Sequence, residues 1–254
     1  MIPEKEKLRQ LYEEEALIRP YALAQIYEDQ AGEMSFGVPF WARYLLRLKQ
    51  LWLEKALIEY AGKNVSVLDL GCGSGYLTGK IHSEKCRVYG VDLAFNYVSI
   101  AAGSCPVANF VQADIESLPF KDKSFDLVIC SEVLEHLVNP SKALGEIKRV
   151  TKKTFISTVP LLPEWLDRLR LRVQKNKVLL PGKGHLRNFQ FESYRRLLEI
   201  QGFSIIKTQG LGFLWWAFLW VFLDMRCAAR IDARLSNFKI NRSLLLGAGV
   251  IAKP

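Results

Sequence analysis

Residues 65–76 read VSVLDLGCGSGY, an apolar run that breaks into glycines at alternate positions. The pattern predicts a buried strand, Val65 to Leu70, running straight into a tight loop at Gly71, Gly73 and Gly75. A phosphate-cradling P-loop would close on Gly-Lys-Ser/Thr, which is missing here. A dinucleotide G-x-G-x-x-G would need glycine or alanine where bulky Tyr76 stands. What remains is GxGxG at the carboxyl end of a strand, the edge at which open α/β sheets receive ligands.

The chain on either side fits that frame. CRVYGVDL (86–93), ANFVQA (108–113), FDLVIC (125–130), KTFISTV (153–159), FSIIKTQ (203–209) and SLLLGAGVIA (243–252) read as further strands. Helical stretches alternate with them. Phe40–Tyr60 puts Trp41, Leu45, Leu48, Trp52, Leu53 and Leu57 roughly on one side, and NPSKALGEIKRV (139–150) offers Asn139 as cap and Pro140 in the first turn. ESYRRLLEIQG (192–202) closes on Gly202, and residues 4–30 are charged and helical. Near-continuous apolar strands alternating with helices predict a doubly wound parallel sheet, covered on both faces.

Bulk properties bound the rest. The 254 residues suffice for one large α/β domain or two small ones, and with half of them hydrophobic a filled core is expected. The net charge of +9 favours an anionic partner without naming it. Five cysteines stand singly at 72, 86, 105, 130 and 227, and the charged amino terminus does not read as a signal peptide. Both point to a reduced, cytoplasmic protein.

Two carboxylates follow the loop at telling positions. Asp92, seventeen residues after Gly75 at the end of the second strand, can accept both hydroxyls of a ribose. Asp114, after the third strand, is placed to bond an adenine amino group, with Ile115 against the ring. Asp69 to Gly75, Asp92, Asp114-Ile115 and FDLVICSEVLEH together resemble the class I S-adenosylmethionine-dependent methyltransferases, within them the ubiquinone-pathway group. The resemblance covers roughly residues 45–160, 185–210 and the final strand. It implies a Rossmann-like seven-stranded sheet with the last strand antiparallel. It also implies S-adenosylmethionine as cofactor, held by Asp69, Gly71, Gly73, Gly75, Asp92, Leu93, Asp114, Ile115 and Ser131, with Asp69 shaping the loop.

Methyl transfer is an in-line displacement, so the protein must align the acceptor and, where needed, deprotonate it. The residues to do so are expected after the fourth strand, in Ser131-Glu132-Val133-Leu134-Glu135-His136. Glu132, Glu135 and His136 stand at i, i+3 and i+4, one face of a helical turn. Two carboxylates and an imidazole make half a site for a divalent cation, Mg²⁺ or Mn²⁺, to which His185 could add a ligand. The ubiquinone-type O-methyltransferases are similar here, and in them this turn goes with metal dependence. Without metal, His136 is the candidate general base; local structural roles for the same residues stay open. The [DN]PP[YF] of base N-methyltransferases is absent, which argues against nucleic acid.

Outside the resemblance, residues 1–45 are expected to form a helical cap on a domain of residues 46–254. Helical insertions at 161–185 and 211–242 would stand over the carboxyl edge. A run of seven Arg/Lys from Arg168 to Arg187 begins in the first and ends just past it; the second holds LGFLWWAFLWVFLDMR (211–226). Its longest uncharged run, Thr208 to Leu223, is 16 residues, short of the roughly 20 that cross a bilayer. These insertions fit a lipophilic acceptor, a peripheral contact with an anionic membrane, or both. The expected activity is O-methylation of a lipophilic small molecule. Carbon methylation of a quinone or lipid, RNA or protein methylation, and a silent cofactor-binding membrane scaffold are the alternatives. Oligomeric state is not legible.

Overall fold

A computed structural model describes residues 4–18, 40–62, 64–82, 86–161, 186–213 and 245–254. Among them, seven strands form one sheet: β1 (Ser66–Leu70), β2 (Arg87–Asp92), β3 (Asn109–Gln112), β4 (Phe125–Ser131), β5 (Thr151–Pro160), β6 (Ser204–Phe213) and β7 (Leu245–Lys253). Their order is β3-β2-β1-β4-β5-β7-β6. Pairings from β3 to β5 are parallel, and β7 runs antiparallel to both β5 and β6. The Rossmann-like sheet with its last strand reversed is therefore present.

The helices are α1 (Glu4–Ile18), α2 (Phe40–Tyr60), α3 (Tyr76–His82), α4 (Phe95–Ser104), α5 (Pro140–Val150) and α6 (Phe191–Ile200), with a 3₁₀ turn at Leu134–His136. Alternate strand residues point to opposite faces, and both faces are covered. Leu68, Leu70, Val128 and Cys130 pack with Leu144 and Ile147 of α5 and Tyr194 and Leu198 of α6. Val67, Leu127, Ile129 and Ile156 pack instead with Leu53, Ala56 and Leu57 of α2 and Ile81 of α3. That two-sided burial is why these strands are apolar at every position. Each buried Leu or Ile contributes about 1.5–3 kcal/mol of transfer free energy.

Asn139 caps α5, its side chain accepting from the Lys142 amide at 3.0 Å, with Pro140 in the first turn. Such a cap stabilises a helix by about 1 kcal/mol. The sixth strand outruns its predicted end near Gln209. It continues through Gly210 and Leu211 to Phe213, which pairs with Leu245, because β7 stays alongside and satisfies its backbone groups. Residues 211–213 are thus strand, while 214–242 lie outside the described residues. So do 162–185, although their flanks meet where Leu161 bridges Phe189. The aromatic stretch beyond Phe213 and the basic run from Arg168 to residue 185 therefore lie outside the described residues.

Candidate functional site

Strand order reverses between β1 and β4, so the chain leaves their carboxyl ends in opposite directions and opens a crevice between them. On the β1 side stands the glycine loop, with φ of +71° at Gly71, +51° at Gly73 and +82° at Gly75. That left-handed region disfavours any side chain. The glycines also differ in what surrounds them. A Cβ at Gly71 would collide with the Val133 side chain, and one at Gly75 would come within 3.0 Å of Ala101. A Cβ at Gly73 would meet nothing within 4 Å. The outer glycines let the loop pack; the middle one leaves bare backbone facing open space, a cradle for a ligand.

Acidic residues fix this loop. Asp69 is buried and accepts a 2.7 Å bond from the Thr78 hydroxyl, clamping the end of β1 to α3. Burial pushes its carboxyl up to about 6, the Thr78 bond pulling the other way. Asp92 accepts from the Gly73 amide through Oδ2 and from the Ala94 amide through Oδ1, each at 3.0 Å. Burial raises its carboxyl, and those backbone bonds partly offset the rise. A carboxylate has about four acceptor positions, so capacity for a ribose diol remains. The Leu93 carbonyl accepts from the Gln112 side chain. Asp114 closes a turn on the Glu116 amide at 2.9 Å, and Ile115 is buried in the core cluster beneath α5.

The β4 side is built from side chains. Ser131 and Thr158, at the ends of β4 and β5, share a 2.8 Å hydroxyl contact, and Thr158 donates to Glu132 Oε1 at 3.0 Å. Thr158 has a single proton, so Ser131 donates to it and the line runs Ser131 to Thr158 to Glu132. The other oxygen of Glu132, Oε2, is bound by the ammonium of Lys49, from the middle of α2. Glu132 has φ of +57° and turns the chain out of the strand. Only residues 134–136 are helical, and Glu135 is buried at 1% exposure. Burial, then the charge of Glu132, pushes the Glu135 carboxyl well above the ordinary range, toward the neutral acid. His136 Nε2 lies 3.8 Å from Glu135 Oε1, and the Tyr12 ring meets the imidazole edge-on at 5.8 Å between centroids.

α1 lies along this crevice. Lys5 pairs with Asp114 at 2.8 Å and with Glu116, whose carboxylate also receives the Asn139 amide. Desolvation lowers the Lys5 ammonium's pKa but its carboxylate partners outweigh that, leaving it raised. Glu13 accepts from the amides of Phe95 and Asn96 at 2.7 and 2.8 Å and so caps α4. α2 is tied to the glycine loop as well, the Gln50 amide donating to the Tyr76 hydroxyl at 3.1 Å.

Residues 68–154 match the family described as a methyltransferase domain. A magnesium protoporphyrin IX methyltransferase from Synechocystis PCC 6803, with SAH bound, shares the fold at a TM-score of 0.65, covering 98% of this chain and 99% of that one at 18% identity. Over residues 68–154 the chain is thus similar to methyltransferase domains. The chain is also 30% identical over 154 residues to a ubiquinone biosynthesis O-methyltransferase of Coxiella burnetii, 58% of this chain and 62% of that protein. A ubiquinone/menaquinone biosynthesis C-methyltransferase of Campylobacter jejuni is 23% identical over 144 residues, 54% of this chain and 59% of that protein. Both matches span less than two thirds of the relative's length. The cyclase SpnF has the same fold too, with a TM-score of 0.62 over 99% of this chain and 97% of that one at 19% identity.

Within the matched region the predicted cofactor residues gather at the ends of β1, β2, β3 and β4. The predicted metal trio does not form. Glu135 turns into the core while Glu132 faces α2, because the strand ends in a left-handed residue and a 3₁₀ turn rather than one helical turn. A cation already sits on Glu132, the Lys49 ammonium, and among the described residues no group of three or more could hold a metal ion. His185 lies outside the described residues. Sequence reasoning missed Lys5, Glu13, Lys49 and Thr158. Their signal is weak, since a lysine or glutamate in a charged helix reads as a solvated side chain.

Proposed function

We propose that this chain transfers a methyl group from S-adenosylmethionine to an oxygen of a lipophilic small molecule. The observation that carries the reading is the facing pair at the switch point: a glycine loop with open backbone at Gly73, and opposite it the Ser131–Thr158–Glu132 line. Gly71, Gly73, Gly75, Asp92 and Leu93 would hold the ribose and methionine portions, and Asp114 and Ile115 the adenine, with Asp69 keeping the loop in shape. Bound there, S-adenosylmethionine supplies a methyl group activated on a sulfonium. Glu132 is the group that can take the acceptor's proton, and Thr158 keeps its second oxygen occupied. His136 is the second candidate base. Glu135, whose carboxyl burial pushes well above the ordinary range, turns into the core instead of toward the acceptor.

The lipophilic acceptor is supported by the ubiquinone-pathway methyltransferases among the relatives and by the uncharged run Thr208 to Leu223 in the sequence. The same run, with the basic stretch before it, supports peripheral contact with an anionic membrane. No described helix is long and apolar enough to cross one. Carbon methylation is the second reading, carried by the likeness to the C-methyltransferase.

Methyl-labelled S-adenosylmethionine, purified protein and a total cell extract test the reading. Label entering the organic phase as an alkali-stable methyl ether supports it, and label on a ring carbon moves the choice to the second reading. Cofactor binding with no label in any phase would leave a cofactor-binding protein without methyl transfer, a real alternative since one fold serves a cyclase as well.

A further inference from the structure

We propose that Lys49 is the fixed cation of the acceptor pocket, and that its ammonium anchors the acceptor through an ionisable hydroxyl of the phenol or enol class. The inference rests on the methyltransferase reading and narrows its acceptor.

Three observations carry it. First, the place: Glu132 directly follows β4, and the next residue, Val133, fills the space a side chain at Gly71 would take, so the Lys49–Glu132 pair stands one residue from the glycine loop. Second, the burial: the Lys49 side chain is 3% exposed and that of Glu132 24%. A buried ion pair brings little net stability against well-packed apolar residues, so stability alone does not account for an ammonium here. A desolvated ammonium next to a reaction crevice is, by contrast, a strong partner for an oxygen anion. Third, the valence: an ammonium has three donors, and among the described residues Lys49 gives hydrogen bonds only to Glu132.

The pair also occupies the carboxylate that the expected divalent cation would use at this turn. A divalent cation on Glu132 would face the ammonium at contact distance, and the two positive charges would repel. Lys49 supplies the same service, a positive charge that favours the deprotonated acceptor. When the acceptor enters, its O–H bond breaks and the proton passes to the Glu132 carboxylate. Lys49 then pairs with the new oxyanion in place of the neutral Glu132. Charge is conserved, and the proton later leaves to water.

Nitrocatechol, whose anion absorbs visible light, tests this without turnover. It is titrated by absorbance against the protein saturated with SAH, and SAH affinity is measured separately by calorimetry. The wild type is expected to ionise bound nitrocatechol at least about tenfold more readily than water does, as a cation within a few ångströms of a phenol dictates. Lys49→Met should abolish that gain and weaken nitrocatechol binding about tenfold or more, with SAH affinity unchanged within about twofold; Lys49→Arg should keep most of the gain. Glu132→Gln supplies a second measurement that does not depend on Lys49→Met folding. Freed of its competing carboxylate, the ammonium should hold the anion more tightly than in the wild type. The proposal is overturned if Lys49→Met still ionises nitrocatechol, if Glu132→Gln binds the anion more weakly, or if the SAH-loaded wild type takes nitrocatechol only as the neutral phenol or not at all. A wild type that does not bind SAH would instead overturn the methyltransferase reading, and this inference with it.

Discussion

The two walls of the crevice are built on opposite principles. On the β1 wall the chain offers backbone: at Gly71 and Gly75 neighbours fill the space of a side chain, while at Gly73 the space is open and only the positive φ favours glycine. On the β4 wall the chain offers side chains whose partners come from far away in sequence, Lys49 to Glu132 and Thr158 to both Ser131 and Glu132. A wall of backbone tolerates almost no substitution but binds a constant ligand. A wall of side chains can be re-tuned residue by residue, which suits the acceptor, the part of a methyl transfer that differs among enzymes of one fold.

The sharpest way to break this contrast is within the loop. Gly71→Val should lower stability by about 3 kcal/mol or more, since strain at positive φ adds to the clash with Val133, and thermal melting would show it. Gly73→Ala should lower stability by only about 1–2 kcal/mol, from backbone strain, yet lose SAH affinity out of proportion. Equal losses of stability at the two positions would end the distinction between packing glycine and cradle glycine.

On the other wall, Glu132→Gln should lower methyl transfer about a hundredfold with SAH affinity unchanged, as expected for loss of a proton acceptor. A matching fall in SAH affinity would mean that Glu132 belongs to the cofactor wall after all. Glu135→Gln tests the neutral acid. A carboxyl whose folded pKa is raised contributes stability below the unfolded value, near 4.3, and that contribution is lost as pH rises through the folded value. The variant should therefore gain on the wild type between about pH 4 and about pH 7, by about 1 kcal/mol or more, in paired denaturant melts. A constant difference across that range would mean that Glu135 ionises as freely folded as unfolded. The smallest effect is expected at Lys5→Met. Its pair with Asp114 is 40% and 33% exposed, and its second partner, buried Glu116, keeps the Asn139 amide, so stability should fall by only about 1 kcal/mol. SAH affinity should rise slightly and become less sensitive to salt, because Asp114 is released.

The walls were unequally legible in the sequence for the same reason that they differ in construction. A backbone site announces itself locally, and GxGxG at a strand end followed by Asp92 and Asp114 places the loop without any long-range information, whereas the reversed last strand was expected only through the family resemblance. A side-chain site depends on who arrives from elsewhere. Nothing around Glu132 says that Lys49 will cover it, and the spacing of Glu132, Glu135 and His136 reads as a helical face until the left-handed φ at Glu132 is known. Asn139 and Gly202 were readable as helix punctuation because capping is local chemistry. The end of β6 was not, because its last pairs depend on β7, whose partner residue Leu245 stands opposite Phe213.

The cap that Glu13 places on α4 carries one more consequence. The amides it accepts from, Phe95 and Asn96, follow directly on the strand end that bears Asp92. An opening of α1 would uncap α4, so the two segments are expected to open together although some eighty residues separate them. In native-state hydrogen exchange the Phe95 and Asn96 amides should exchange in step with the amides of α1, and deleting α1 should speed both by about the factor that a lost cap allows, roughly fivefold for 1 kcal/mol.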